Sequence, residues 1–243
     1  MALSTVPQPT GSGAQAPAIQ PEQPRGLTVR ERFNNLSARQ QDEILDKHRH
    51  WNVEHIDWWD GVYDCFKADM DAIGIDVDKM YFSGFWSQGD GACFEGSVND
   101  WPKFLASLGY TCPALIALAE TGWRFGVEHK GHYYHENCTR FDACLNTLDS
   151  NDAVDDDDFA QTFSPYQSEI QTAAWMALIA DYTRLDLEER FEEAFKDHMR
   201  ALYNQLEAEY DHLTSDEAIL DSLEANDQLE DAIISITEEE EYA

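Results

Sequence analysis

The sequence predicts an α+β fold: an antiparallel sheet of about four strands, built from two hairpins, packed by helices, with an acidic helical C-terminal part. Three observations predict it. Met80 to Trp86 and Ala92 to Val98 are short apolar-aromatic runs around the loop Ser87-Gln88-Gly89-Asp90-Gly91, and strand formers flanking a Gly/Asp-rich loop signal a β-hairpin. Trp123 to Asp142 returns to strand character, with Lys130-Gly131 as the expected tight turn. From Ser168 to Tyr210, apolar residues recur at helical spacing with acids between them.

Taken in order, residues 1–26 hold Pro7, Pro9, Pro17, Pro21 and Pro24 among Gly, Ser, Gln and Ala. Such a segment cannot bury a core and is expected to be a disordered arm. An α+β core is expected over 27–150. Within it, Ser37-Ala38-Arg39-Gln40 fits a capping box and opens a helix toward His50. A second helix is expected from about Ile56 to Ile73, because Trp58, Trp59, Val62, Phe66, Met70 and Ile73 share one face. Adjacent Trp58 and Trp59 must point in different directions; both are read as core, with an exposed anchor at one of them as the alternative. In the first hairpin, alternation places Tyr81, Ser83 and Phe85 on one face and Phe82, Gly84 and Trp86 on the other. Both faces are partly apolar, which calls for cover on both sides or for a partner. Asp100 is placed to cap a helix from Trp101 to Leu108, and Pro113 to Glu120 forms another short helix.

Residues 151–165 are expected to be an acidic loop, with Asp152 and Asp155 to Asp158 in a solvated run. Adjacent aspartates lack the spaced ligands and turn glycine of a calcium loop. Residues 166–228 form the helical part: Leu187, Phe191, Phe195, Met199, Leu202 and Leu206 continue a stripe that begins at Ala174, and a final helix starts at Thr214-Ser215-Asp216-Glu217. Residues 229–243 are expected to be an acidic tail.

The chain of 243 residues carries 48 Asp and Glu against 16 Lys and Arg, a net charge of −32. That charge opposes contact with nucleic-acid backbones and anionic membranes and favours basic protein surfaces. From Asp142 on there are 29 acids against 4 Lys and Arg, a net −25. Uniform solubility would not require this concentration. The expected partner is therefore a protein with a basic surface, and the candidate contacts are Trp58, Trp86, Gln88, Asp90, Glu188, Glu189, Glu192 and Glu193. The five cysteines form no CxxC pair, no membrane-length apolar run is present, and no secretory signal stands at the N-terminus. These features fit a reduced cytoplasmic protein.

The sequence names no cofactor and no catalytic residue. Phosphate-binding glycine motifs are absent. Ser87 is not a nucleophile elbow, because Phe85 stands where that motif needs glycine. Cys93 with a histidine of the second hairpin is a formal nucleophile pair. His129, His132 and His135 are the candidate metal ligands, imidazole being suited to zinc and other transition metals. On a continuous strand, however, His132 faces away from the other two. They underlie an alternative reading as a metal-dependent or hydrolytic enzyme, with Asp90 as a fourth group.

The stretches FSGFWSQGDGACFEG (Phe82 to Gly96), HKGHYYHENCTRFD (His129 to Asp142) and LYNQLEAEYDHLTSDEAILDSLEAN (Leu202 to Asn226) resemble a family of small proteins from bacteriophages and proteobacterial prophages. Its members are often labelled as antitoxins of toxin–antitoxin stability systems. Trp58 to Ile75 is similar too, and the resemblance spans most of Ser37 to Asn226. It implies a phage protein made in a bacterial cytoplasm, and it adds an antitoxin-like partner of a toxin as a further reading. The expected function is that of an acidic accessory protein that binds and modulates a host protein.

Overall fold

The structure is a computed structural model that describes residues 26–54, 57–120, 122–145 and 187–241. The expected acidic loop, nearly all of the expected arm and the first part of the long helix lie outside the described residues. The elements are α1 (Val29–Asn34), α2 (Ala38–Lys47), α3 (Asp60–Ala72), β1 (Ile75–Ser83), β2 (Gly91–Val98), α4 (Trp101–Ser107), α5 (Pro113–Glu120), β3 (Arg124–His129), a 3-10 turn (Glu136–Cys138), β4 (Thr139–Cys144), α6 (Leu187–Leu213), α7 (Asp216–Ala225) and α8 (Gln228–Glu241). This is the α+β class that the sequence predicts. The chain divides into two compact units, Leu45–Ser222 and the combination of Met1–Ile44 with Leu223–Ala243.

In the larger unit the sheet is antiparallel in the order β1-β2-β3-β4. The first hairpin pairs Ile75 with Val98 and Ser83 with Gly91, with a bulge between Val77 and Lys79. The second pairs Arg124 with Cys144 and His129 with Thr139. One face of the sheet is packed by α3 and α6. The stripe Leu187, Phe191, Phe195, Met199, Leu202 and Leu206 is buried along its whole length. Phe195 lies 5.6 Å from Phe94, 5.2 Å from Phe125 and 5.8 Å from Phe104 between ring centroids. Phe66 of α3 meets Phe94 at 5.7 Å. Burying rings of this size supplies most of the favourable free energy of such a core.

Local signals set the element ends. Asp100 accepts a hydrogen bond from the Lys103 amide at 3.1 Å and starts α4. The indole of Trp101 donates to the Trp123 carbonyl at 3.1 Å, so its buried polar atom is satisfied. Arg49 donates to the Thr214 carbonyl at 3.0 Å and Asn52 to the Leu213 carbonyl at 2.9 Å, which fixes the end of α6 against the chain before α3.

The second hairpin differs from expectation. No tight turn forms at Lys130-Gly131: residues 130–138 make a longer loop that folds back over the sheet, with Tyr134 stacked on Tyr81 at 5.2 Å. That stacking buries aromatic surface that a two-residue turn would leave wet.

In the smaller unit, Thr28 and Glu31 form a capping box at the start of α1, and Ser37 and Gln40 form the expected one at α2. The expected acidic tail is instead helix α8, whose Leu229, Ile233 and Ile236 are buried. Their four- and three-residue spacing gives an apolar face that α1 packs against, and Arg32 pairs with Glu230 at 2.8 Å.

Candidate functional site

The loop between β1 and β2 is organised by one carboxylate. Oδ2 of Asp90 accepts from the amides of Trp86 at 3.0 Å and Ser87 at 2.6 Å, and the Asp90 amide donates to the Ser87 carbonyl at 3.0 Å. Gly89 sits at φ +98°, and a side chain there would meet the Tyr133 ring at 3.1 Å. A Cβ at Gly91 would approach the Tyr134 carbonyl at 2.9 Å. The two hairpin loops therefore rest against each other, and glycine is what permits the approach.

Trp86 stands at the tip of this loop with 73% of its surface exposed. Beneath it is a cluster of rings: Trp86 meets Tyr210 at 5.2 Å and Phe85 at 5.9 Å, and Phe85 meets Tyr203 at 5.6 Å and Tyr210 at 5.2 Å. Trp58 joins from the start of α3, at 5.7 Å from Tyr210 and 5.6 Å from Phe82. Trp58 and Trp59 are both half-buried, both touch Phe82 and both pack against the core, so neither stands free as an exposed anchor. The expected strand alternation ends at Ser83; the chain turns there, and Phe85 stacks beside Phe82 at 6.0 Å instead of joining Tyr81. Gln88 is exposed in the same loop.

Tyr203, Glu207 and Tyr210 lie at intervals of four and three residues and so share one face of α6, next to the buried stripe. Burial pushes up the Tyr203 hydroxyl, and the charges of Glu207 and Asp90 push it further. Burial and then Asp211 do the same to Tyr210. The Tyr210 hydroxyl is 3.1 Å from Nδ1 of His50. Sequence reasoning missed Phe85, Tyr203, Glu207 and Tyr210. The available signal was a pair of tyrosines seven residues apart beside an apolar stripe.

The four predicted acids of α6 divide. Glu188 and Glu189 are exposed. Glu192 pairs with Lys196 at 3.5 Å, and Glu193 with Arg200 at 2.7 Å. Arg200 also pairs with Asp197 and reaches Glu136 at 3.9 Å.

A model for the family DUF8835, a domain of unknown function, matches residues 58–216. The chain belongs to that family. No curated protein and no solved structure matches. The DUF8835 match begins at Trp58 and ends at Asp216, so it holds the sheet, α6 and every residue of the aromatic corner, and it leaves out α1, α2, α8 and all but the first residue of α7.

The histidines of the DUF8835 domain are not assembled as a metal centre. His129 packs against Tyr81 at 5.3 Å and Tyr134 at 5.1 Å, with Nε2 3.2 Å from the Tyr133 carbonyl. His132 stands edge-on to Tyr133 at 5.3 Å. His135 Nδ1 accepts from the Asn137 amide at 3.2 Å and lies 3.1 Å from Glu136. Among the described residues no group of three or more His, Cys, Asp or Glu side chains is arranged to hold a metal ion. The cause is the long loop, which separates the three rings and gives two of them backbone partners. Cys93 is a poor nucleophile where it sits: burial, with smaller effects of Cys138 and Glu95, pushes its thiol up to about 12.

The open face of the sheet carries a groove of about 370 Å³ lined by Asp78, Glu95, Ser97, Arg124, Glu128 and Asp142. Lys79 hydrogen-bonds Glu95 at 3.1 Å and lowers its carboxyl below the usual range. Among the described residues no helix is long and apolar enough to cross a membrane.

Proposed function

We propose that this protein is a phage or prophage accessory protein that binds and inhibits a host protein in the bacterial cytoplasm, docking through the Trp86 corner onto a basic surface. The observation that carries the reading is the pairing of an exposed tryptophan, 73% accessible, with a loop held in shape by Asp90. Large exposed aromatics on pre-shaped loops make strong interface anchors, because little conformational entropy is lost on binding. The acidic charge adds long-range attraction. The net charge after Phe141 is −25, from 29 acids and 4 Lys and Arg, and charge of that density raises encounter rates with a basic partner. A basic surface of this kind in the host would ordinarily hold nucleic acid, and carboxylates would take the place of phosphates there.

The test is capture of host proteins by the wild type, by Trp86→Ala and by the combined charge reversal of Glu188 and Glu189, across a salt series. The expected result is one enriched protein, released steeply by salt, lost with Trp86→Ala and weakened by the charge reversal. Capture that is indifferent to both changes and to salt would overturn the reading. Glu188 and Glu189 are preferred to Glu192 and Glu193 because the latter two are already paired with Lys196 and Arg200.

A further inference from the structure

Trp86 packs on Tyr210 near the end of α6, and Glu207 and Asp211 stand three residues before and one residue after that tyrosine. We infer that this corner takes an arginine side chain of the partner, its guanidinium stacked on the Trp86 indole and hydrogen-bonded to the carboxylates of α6. The inference rests on the docking reading above and specifies what that dock holds.

Three features point to arginine. First, the exposed ring is flanked by a second aromatic, Tyr210, whose centroid is 5.2 Å away at an interplanar angle of 70°. Two rings at a steep angle form a wedge whose π-faces attract a cation. Second, the wedge is lined with negative charge. Glu207 lies between Tyr203 and Tyr210 on the same helical face and is half-buried, Asp211 follows Tyr210, and Asp90 sits under the Trp86 backbone. Glu207 and Asp90 both act on the Tyr203 hydroxyl, and Asp211 acts on that of Tyr210. Third, α6 has no Lys or Arg after Arg200: Arg190, Lys196 and Arg200 all precede Tyr203, the basic group at Tyr210 is the His50 imidazole, 3.1 Å from its hydroxyl, and among the described residues neither Glu207 nor Asp211 forms an ion pair. Lysine would satisfy the charge. Arginine satisfies the shape as well, because its planar, weakly hydrated head can stack on an indole while two N–H groups reach one carboxylate.

The probe is the tripeptide acetyl-Gly-Arg-Gly-amide, added to the full chain and followed by the indole N–H resonance of Trp86. That signal is assigned as the one missing in Trp86→Ala. The lysine tripeptide and the citrulline tripeptide, which keeps the shape and loses the charge, are run beside it. The expected result is a saturable movement with arginine, at least about threefold weaker binding of lysine, and no movement with citrulline. Glu207→Gln combined with Asp211→Asn should weaken the arginine tripeptide about tenfold, equivalent to about 1.4 kcal/mol. Equal response to citrulline, equal affinity for lysine, or full binding by the double variant would each overturn the assignment. Trp86 is exposed and Glu207→Gln is isosteric, so the variants are expected to keep the fold. If the tripeptide leaves Trp86 unmoved while Trp86→Ala still abolishes host capture, the arginine assignment falls and the docking reading stands. If the tripeptide binds as expected while Trp86→Ala captures the host protein normally, the cation site stands and the docking reading falls.

Discussion

Replacing Asp90 by alanine removes the single oxygen that accepts from both the Trp86 and the Ser87 amides. A hydrogen bond to a charged acceptor contributes about 1.5–3 kcal/mol when shielded and less when water can replace it. Asp90 is half-buried and the two amides lie on an exposed loop, so two bonds of this kind should stabilise the loop by about 1.5 kcal/mol in total, close to the worth of a helix N-cap. The informative comparison is Asp90→Asn. Both bonds go to one oxygen, and an asparagine carbonyl can occupy its place. The asparagine variant should therefore lose only the charge assistance, about 0.5 kcal/mol, while alanine loses the acceptor. Two readouts separate the cases. Urea unfolding gives the global cost, with an unchanged slope if only native contacts are lost. Amide exchange at Trp86 and Ser87 gives the local cost: about tenfold faster exchange for alanine and about twofold for asparagine. If alanine and asparagine behave alike, or if neither amide is protected in the wild type, the loop is not held by this carboxylate. Trp86 would then not be a preorganised anchor.

Phe195→Ala should cost about 3–5 kcal/mol in chemical denaturation, since the ring is fully buried among Phe94, Phe104 and Phe125; a cost below about 1 kcal/mol would mean that α6 is not packed as described. Tyr63 is raised from 10.0 to about 12, chiefly by burial. Its contribution to stability is thus complete below pH 10 and lost as the pH rises toward 12. Cys93, raised from 9.0 to about 12, acts with the same sign. Tyr63→Phe should accordingly flatten part of the alkaline loss, by about 1–2 kcal/mol after allowance for the ring's partial exposure, and an unchanged alkaline limb would refute this. His198 is lowered from 6.5, first by burial; stability that is complete above pH 6.5 should fall as the pH drops through and below that value, and His198→Gln should remove that dependence. Iodoacetamide at pH 8 should label Cys65 and Cys144, which are exposed, well before Cys93, which is buried, with peptide mass mapping as the readout.

The elements legible in the sequence were those written in local chemistry. Ser37 with Gln40, Asp100 before Trp101-Pro102, and Pro113 through Glu120 each specify a helix from a few neighbouring residues, and the structure follows them. The stripe from Leu187 to Leu206 was legible because its period is regular. What escaped was decided by contacts distant in sequence. Lys130-Gly131 has turn chemistry, but the stacking of Tyr134 on Tyr81 and the packing of His129 against both favour a longer loop. The same stacking separates the histidines that a short turn would have set opposite one another. Phe85 escaped because strand alternation was extended past Ser83, where Asp90 turns the chain. In α8 the apolar spacing of Leu229, Ile233 and Ile236 was present, and the surrounding acids masked it. The Thr28 and Glu31 box was present too, three residues apart, just after a proline-rich stretch that drew the boundary.

The candidate dock depends on helix rotation more than on composition. Leu202 and Leu206 are fully buried, and each residue of an α-helix turns about 100° from the last. Once those two leucines are fixed in the core, Tyr203, Glu207 and Tyr210 have one orientation available, beside the stripe and under the β1–β2 loop, where Phe85 bridges the tyrosines. Arg49 and Asn52 hold the end of the same helix through the carbonyls of Thr214 and Leu213, which prevents fraying at the turn that carries Tyr210. The core stripe and the aromatic corner are therefore two faces of one constraint. A sequence could keep every acid of α6 and still lose the corner if the buried stripe slipped by one position. It could lose Glu192 or Glu193, each already paired within the helix, and keep the corner intact. On the proposed docking, the acidic charge would set which surfaces the protein approaches, and the rotation of α6 what it holds there.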